Sequence, residues 1–442
     1  MTRHYCKLTR PMVFSCLIII LFASYAQSEK MTLYEGLKLA LKEENILKLK
    51  EQEETIAALE AKVVKSSYLP HLDVSYGKVF LNREPTTKNF FMGRPVEVPI
   101  SERDFYTYSV TVRQLIFDFF GVWSSYQSKK IFEEIKRMET LKTKNTVALQ
   151  FVRYYYDLKE QEKIAEVLQK EVEKLESHLN DAKALYDEGM ITKNELLYTE
   201  VLLSDAKQRL INLKNLKSLT TSILNKMMGK EFHDKILFEE PKKEAVLIKS
   251  LEDYVSEAHE ARPEIKIVQK AKDQLAHLKQ AKKSELLPKF FLEGKYTFTE
   301  NRYQVYEGIT SVTLGMSMNL FDGGKTRNEL KILDIEEKKI NIEEKKIKDE
   351  IKLEVEKYFT DFLNAKERLK TMENAIKQAE ENLRITQVKY REGVGTGTEV
   401  LDAIAALCLS ESNYHRALYD MLRAEAGLIY ATGRSFEEEY KP

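Results

Sequence analysis

The feature that most constrains this chain is a turn written twice. Tyr186-Asp187-Glu188-Gly189-Met190-Ile191-Thr192-Lys193-Asn194-Glu195-Leu196-Leu197 returns 204 positions later as Tyr390-Arg391-Glu392-Gly393-Val394-Gly395-Thr396-Gly397-Thr398-Glu399-Val400-Leu401. Tyr, Gly, Thr, Glu and the final Leu recur in place. The same spacing relates Phe117-Asp118 to Phe321-Asp322, Tyr154 to Tyr358 and Gly229 to Gly433. Upstream, Leu33, Ala40 and Leu69-Pro70 find their partners 218 positions on, in Leu251, Ala258 and Leu287-Pro288. A chain duplicated over this length is built from two copies of one unit. The change of spacing places a 14-residue insertion between Pro70 and Phe117, and Pro85, Gly93, Pro95 and Pro99 predict a loop over 83–104.

Each copy carries the same local patterns. Residues 31–68 are helical in period, with Leu33, Leu37, Ala40 and Leu41 on one face, and Pro70 ends that helix. Strands with period two follow at about 72–82 and 105–117, and again at about 289–299 and 309–321. Leu72, Val74 and Tyr76 alternate with Asp73, Ser75 and Gly77; Lys78 interrupts the apolar row. Residues 122–188 and 324–392 contain no proline and no internal glycine, so each predicts a helix reaching roughly 100 Å. Ile340, Ile347, Ile351 and Val355 stripe the second of these, as in a helix that packs on other helices. Shorter helices follow the tip turns (186–195 and 390–399), at 193–229 and 398–432, closed by Gly229 and Gly433. Laid end to end with the helix before the strands, two short helices span one long one.

Arg3, Lys7 and Arg10, the apolar run Val13 to Phe22 and Ser24-Tyr25-Ala26 read as an export signal over 1–26. The first copy then occupies 27–230, a linker or equatorial segment 231–262, the second copy 263–434 and a tail 435–442. Without the signal, 67 basic residues face 70 acidic ones, which gives no reason to expect nucleic acid. Cys6 and Cys16 lie in the signal, so Cys408 has no partner for an intramolecular disulfide. Enzyme signatures are poor. His259-Glu260-Ala261-Arg262-Pro263 lacks the second histidine of a zinc-protease motif, and Gly393, Gly395 and Gly397 serve turn chemistry rather than phosphate binding. No cofactor or metal site is expected.

Strands of about ten residues, apolar on one face and polar on the other, fit a transmembrane β-barrel, although strand by strand an ordinary half-buried antiparallel sheet is the commoner source of that pattern. Four strands cannot close a barrel, since single-chain membrane barrels need at least about eight. Open edges cannot face lipid either. A barrel would have to be shared, with 8 strands from two chains or 12 from three. Trp123 and Tyr126, just past the second strand, are placed as interfacial anchors.

The duplicated plan, Leu-Pro before each first strand, Leu320-Phe321-Asp322-Gly323-Gly324, Arg262-Pro263-Glu264 and Tyr-x-x-Gly at each tip together resemble the TolC family of outer-membrane efflux proteins. The resemblance covers nearly all of the chain after the signal. It implies a mainly α fold with a membrane β component: a homotrimer with a shared 12-stranded barrel in the Gram-negative outer membrane and a helical tunnel across the periplasm. It also implies a passive export channel, not an enzyme, of a tripartite efflux or type I secretion system. Its partners would be a periplasmic adaptor, an inner-membrane pump and outer-membrane lipid.

Glu399 and Asp402, three apart on a helix, match the acidic constriction of that family and would repeat threefold around the axis. Glu195 and Tyr390 match its gate latch, and Gly189, Thr192, Gly393 and Thr396 build the tip turns. Gly395 stands where some members carry a basic latch residue, which implies an easier gate. Ordinary helix N-terminal acids at 399 and 402, and a tyrosine that only packs the turn, are the plainer alternatives. The competing function is a soluble periplasmic coiled-coil adaptor or structural protein.

Overall fold

The computed structural model describes residues 30–241 and 249–441. The signal read at 1–26 lies outside the described residues.

Each copy begins with a broken helix. Thr32 caps α1 (Leu33–Glu43) in a box closed by Glu35, the backbone turns extended at Glu44, and α2 (Asn45–Ser66) follows. The continuous helix expected over 31–68 is thus two helices. No proline or glycine marks the break, which is why the periodicity ran through it. The hairpin end of the copy comprises β1 (His71–Phe80), β2 (Thr86–Phe91), β3 (Arg94–Pro99) and β4 (Asp104–Phe117). The loop expected over 83–104 therefore contains a second, small hairpin turning at Met92-Gly93. Pro95 and Pro99 are tolerated there because a two-stranded ribbon has only edges, where a missing N–H goes unused.

The long helix α3 (Gly121–Asp187) and the shorter α4 (Lys193–Met227) complete the first copy. In the second, α5 (Leu251–Ala261) is capped by Ser250 with Asp253, the chain turns extended at Arg262, and Pro263 opens α6 (Pro263–Ser284). α5 thus occupies part of the segment read as connecting sequence, at the place α1 holds in the first copy. β5 (Lys289–Thr299), β6 (Gly308–Ser317), α7 (Lys325–Arg391), α8 (Gly397–Ala431) and a short α9 (Phe436–Glu439) follow. The duplication is metrically close, since α3 and α7 each have 67 residues and α4 and α8 each have 35.

The Phe-Asp pair after each hairpin turns strand into helix. The Asp118 carboxylate accepts from the N–H of Gly121 (3.1 Å) and Val122 (2.7 Å), and Asp322 accepts from Gly324 and Thr326 (both 2.9 Å). Two residues there must be left-handed. The second copy uses Gly323 and Gly324, whereas the first holds Phe119 (φ 53°) and Phe120 (φ 65°) in that region. The Phe117 and Phe119 rings pack at 4.8 Å and help hold that conformation.

The main sheet has the order β1-β4-β5-β6, antiparallel throughout, with β1 and β6 as edges. Asp73, Thr111, Lys295 and Ser311 share one row of its polar face. Leu72, Val112, Gly294 and Val312 share one of its apolar face, where Leu72 is 67% and Val312 75% exposed. Away from the sheet, α3 packs between α4 and α8, and α7 lies on α8; nearer the sheet α2 and α6 flank α3, and α6 also meets α7. Two short helices therefore cover each long one, as expected. Where they meet, α1 and α9 seal a core around Leu37, Phe151, Tyr155, Leu224, Phe238, Tyr419 and Phe436. A second core, with Leu175, Leu203, Leu383, Leu401 and Ile404, runs toward the tips.

Candidate functional site

Both tip turns are left-handed glycine caps with the N–H two residues past the helix bonded back across the last turn. Gly189 has φ 76° and Met190 N donates to Leu185 O (2.8 Å); Gly393 has φ 73° and Val394 N donates to Lys389 O (3.0 Å). Thr192 and Thr396 then start the returning helices by accepting from the N–H of Glu195 (3.4 Å) and Glu399 (3.3 Å).

At the two equivalent glutamates the symmetry breaks. Glu399 closes its own capping box by accepting from Thr396 N (3.2 Å). Glu195 instead reaches into the other copy and accepts from Gly397 N (3.1 Å), at the start of α8. A carboxylate there also meets the positive end of the helix dipole. Only glycine allows the approach, since a Cβ at 397 would stand 2.1 Å from Glu195 Oε1. Gly395 is less confined, since a Cβ there would lie 3.1 Å from Lys389 Cβ and Tyr390 N.

Tyr390 does not hydrogen-bond Glu195 within the chain. Its ring lies 5.2 Å from that of His178, and its buried hydroxyl finds no hydrogen-bond partner among the described residues. Burial, then Glu195 and Asp181, push its phenol up from the ordinary value. His178, buried on α3, also leaves Nε2 without a partner. Burial holds its imidazole below the usual value, against the opposite pull of Asp181 and Glu195. Tyr390, Glu195 and His178 thus form one cluster from three helices. His178 escaped the sequence reading because a single histidine on a helix carries no periodic signal.

Glu399 and Asp402 are exposed, while Val400, Leu401, Ala403 and Ile404 turn inward to the core. Both acids are therefore open to solvent at the tip, although the Glu399 carboxylate turns back onto Thr396 N of its own chain. At the other end Trp123 packs edge-on to Phe120 (6.4 Å) and His277 (5.5 Å) while remaining 44% exposed. Cys408 is buried, donates to Glu171 Oε2 (3.1 Å) and has its thiol pushed up to about 12, chiefly by burial. Among the described residues no cluster of His, Cys, Asp and Glu is arranged to hold a metal, and no helix is long and apolar enough to cross a membrane.

Residues 254–434 match the outer membrane efflux protein family. No curated protein matches the chain by sequence. Among solved structures, the outer membrane protein VceC from Vibrio cholerae is 14% identical, with 91% of this chain and 96% of that one covered and a TM-score of 0.76. The CmeC outer membrane channel of Campylobacter jejuni is also 14% identical, covering 91% and 85%, at a TM-score of 0.77. The open state of the Neisseria gonorrhoeae MtrE outer membrane channel is 13% identical, covering 91% and 89%, at 0.74. The resemblance read in the sequence and the mainly helical, TolC-like fold are borne out. The family matched is one of channels rather than enzymes.

Proposed function

We propose that the protein is a passive export channel of the Gram-negative outer membrane, the exit of a tripartite efflux or type I secretion system. Three chains close a 12-stranded barrel, and their helices continue it as a tube to a tip that docks on a periplasmic adaptor and an inner-membrane pump. The reading is carried by one observation: a sheet with two unpaired edges and an exposed apolar face is fused to a pair of 67-residue helices. Such a face in water would be an aggregation hazard, whereas in lipid it is the required surface once the edges pair between chains. A soluble adaptor would have no use for it.

In this reading Glu399 and Asp402 line the constriction, since both are exposed at the tip of each chain and six such carboxylates around an axis favour cations. Glu195 and Tyr390 hold the gate. Glu195 ties the two hairpins of one chain, and Tyr390, packed on His178 with its hydroxyl buried, holds α7 against α3 beside that tie. Single-channel recording in planar bilayers tests the lining. Glu399→Ala with Asp402→Ala should lower the cation preference severalfold, and an unchanged preference would remove both residues from the constriction.

A further inference from the structure

The apolar face of the sheet carries one cation, Lys78. It follows Leu72, Val74 and Tyr76 in the β1 row and precedes Phe80, so it stands on the surface that the channel reading gives to lipid. Its ammonium lies over two aromatic rings, 4.8 Å from the centre of Tyr106 and 5.2 Å from that of Phe80. Among the described residues it makes no ion pair. Asp104, directly across from Phe80 on the same face, forms none with it.

Depth decides what such a lysine can do. β1 leaves α2 at His71 and ends at Phe80, so Lys78 sits at the end remote from the helices, roughly 7 Å along the strand from the rim. A lysine stem can reach the interface from there, and the cost of a charge on a barrel's lipid face falls to about 0–1 kcal/mol near the interface. The neighbouring rings form the aromatic girdle of that level: Tyr76 stacks with Tyr106 (6.0 Å) and Tyr108 with Phe298 (4.9 Å). An ammonium held by rings at headgroup depth, with no carboxylate paired to it among the described residues although Asp104 and Glu300 lie nearby, is complementary to the anion that lipids present there.

We infer that Lys78, with Tyr106 and Phe80, is a binding site for a lipid-borne phosphate of the distal leaflet. The rings fix the stem and leave the ammonium's donors directed to the headgroup layer. The site anchors the barrel at one depth, and in a trimer it repeats three times around the circumference.

This inference rests on the channel reading, and one experiment separates the two. The full-length protein, Lys78→Met and Lys78→Arg are reconstituted in phosphatidylcholine vesicles and floated on a density gradient. Each is then extracted in mild detergent and titrated by native mass spectrometry with lipid A, dephosphorylated lipid A and phosphatidylglycerol. Wild type and Lys78→Arg should bind a phosphate-bearing lipid about fivefold more tightly than Lys78→Met. Dephosphorylated lipid A should not distinguish the three. Whichever of the two phosphorylated lipids shows the difference names the source. Lys331→Met, on the exposed face of α7, should bind as wild type. Equal binding by wild type and Lys78→Met overturns the site, as does full displacement by millimolar inorganic phosphate. Protein that fails to float overturns the channel reading itself.

Discussion

Glu195 and Glu399 occupy the same place in the duplicated sequence and do different work. One caps its own helix; the other caps the helix of the opposite copy and so ties the two tips together. Gly397 is the residue that permits the tie. In an ordinary helix Gly→Ala gains roughly 0.5–1 kcal/mol. Here Gly397→Ala displaces the flexible end of Glu195 and loses a charge-assisted hydrogen bond worth about 1.5–3 kcal/mol. Thermal melting should therefore show no stabilisation, and hydrogen exchange at the tip should quicken; a clear gain in melting temperature would mean that the tie carries no weight.

His178 gives the same cluster a pH dependence. Because burial holds its imidazole below the ordinary value, the unfolded chain takes up a proton first as pH falls. Its contribution is complete above the usual histidine range, near about 6.5, and is lost as pH drops toward the lowered value. The groups acting on it are Asp181 from α3, Glu195 from α4 and the Tyr390 phenol from α7. The protection factors of the tip amides, which are corrected for the intrinsic exchange rate, should fall between pH 7.5 and 5.5 in the wild type and change less in His178→Gln; identical pH profiles would contradict the assignment. The turn glycines and capping threonines were legible in the sequence because their chemistry is local. The partner of Glu195 was not, since duplication argues that equivalent residues act alike.

The long helices owe their course to close packing of small residues as much as to their stripes. Gly427 of α8 faces Tyr358 of α7, and a Cβ there would lie 2.2 Å from the ring. The ring is buried, and its hydroxyl accepts from Arg153 Nη2 of α3 (2.7 Å). Gly427→Ala should destabilise by about 1–3 kcal/mol through overpacking, measured by denaturant unfolding, and a neutral result would show that α7 and α8 separate freely. The length and order of the helices were readable, because missing prolines and glycines leave a long pattern no place to stop. The break at Glu44 was not, because only its counterpart at Arg262-Pro263 carries a proline. The β2–β3 hairpin was hidden by the opposite error: Pro95, Pro99 and Gly93 signal a loop unless the strands are all edge.

At the scale of the whole molecule, the four strands of the main sheet cannot close into a barrel by themselves. Two chains could supply eight strands and three could supply twelve, and strand counting alone does not choose. An eight-stranded barrel is filled by its own side chains, so a duct requires the larger number. The polar rows through Asp73, Lys295, Arg113 and Glu293 suit a wet lumen rather than a packed core. Electron cryo-microscopy of the protein in lipid nanodiscs tests this most directly. The account predicts a threefold particle with an open lumen through the barrel and a helical tube roughly 100 Å long beneath it; a single chain, or a particle without a continuous hollow, would contradict it.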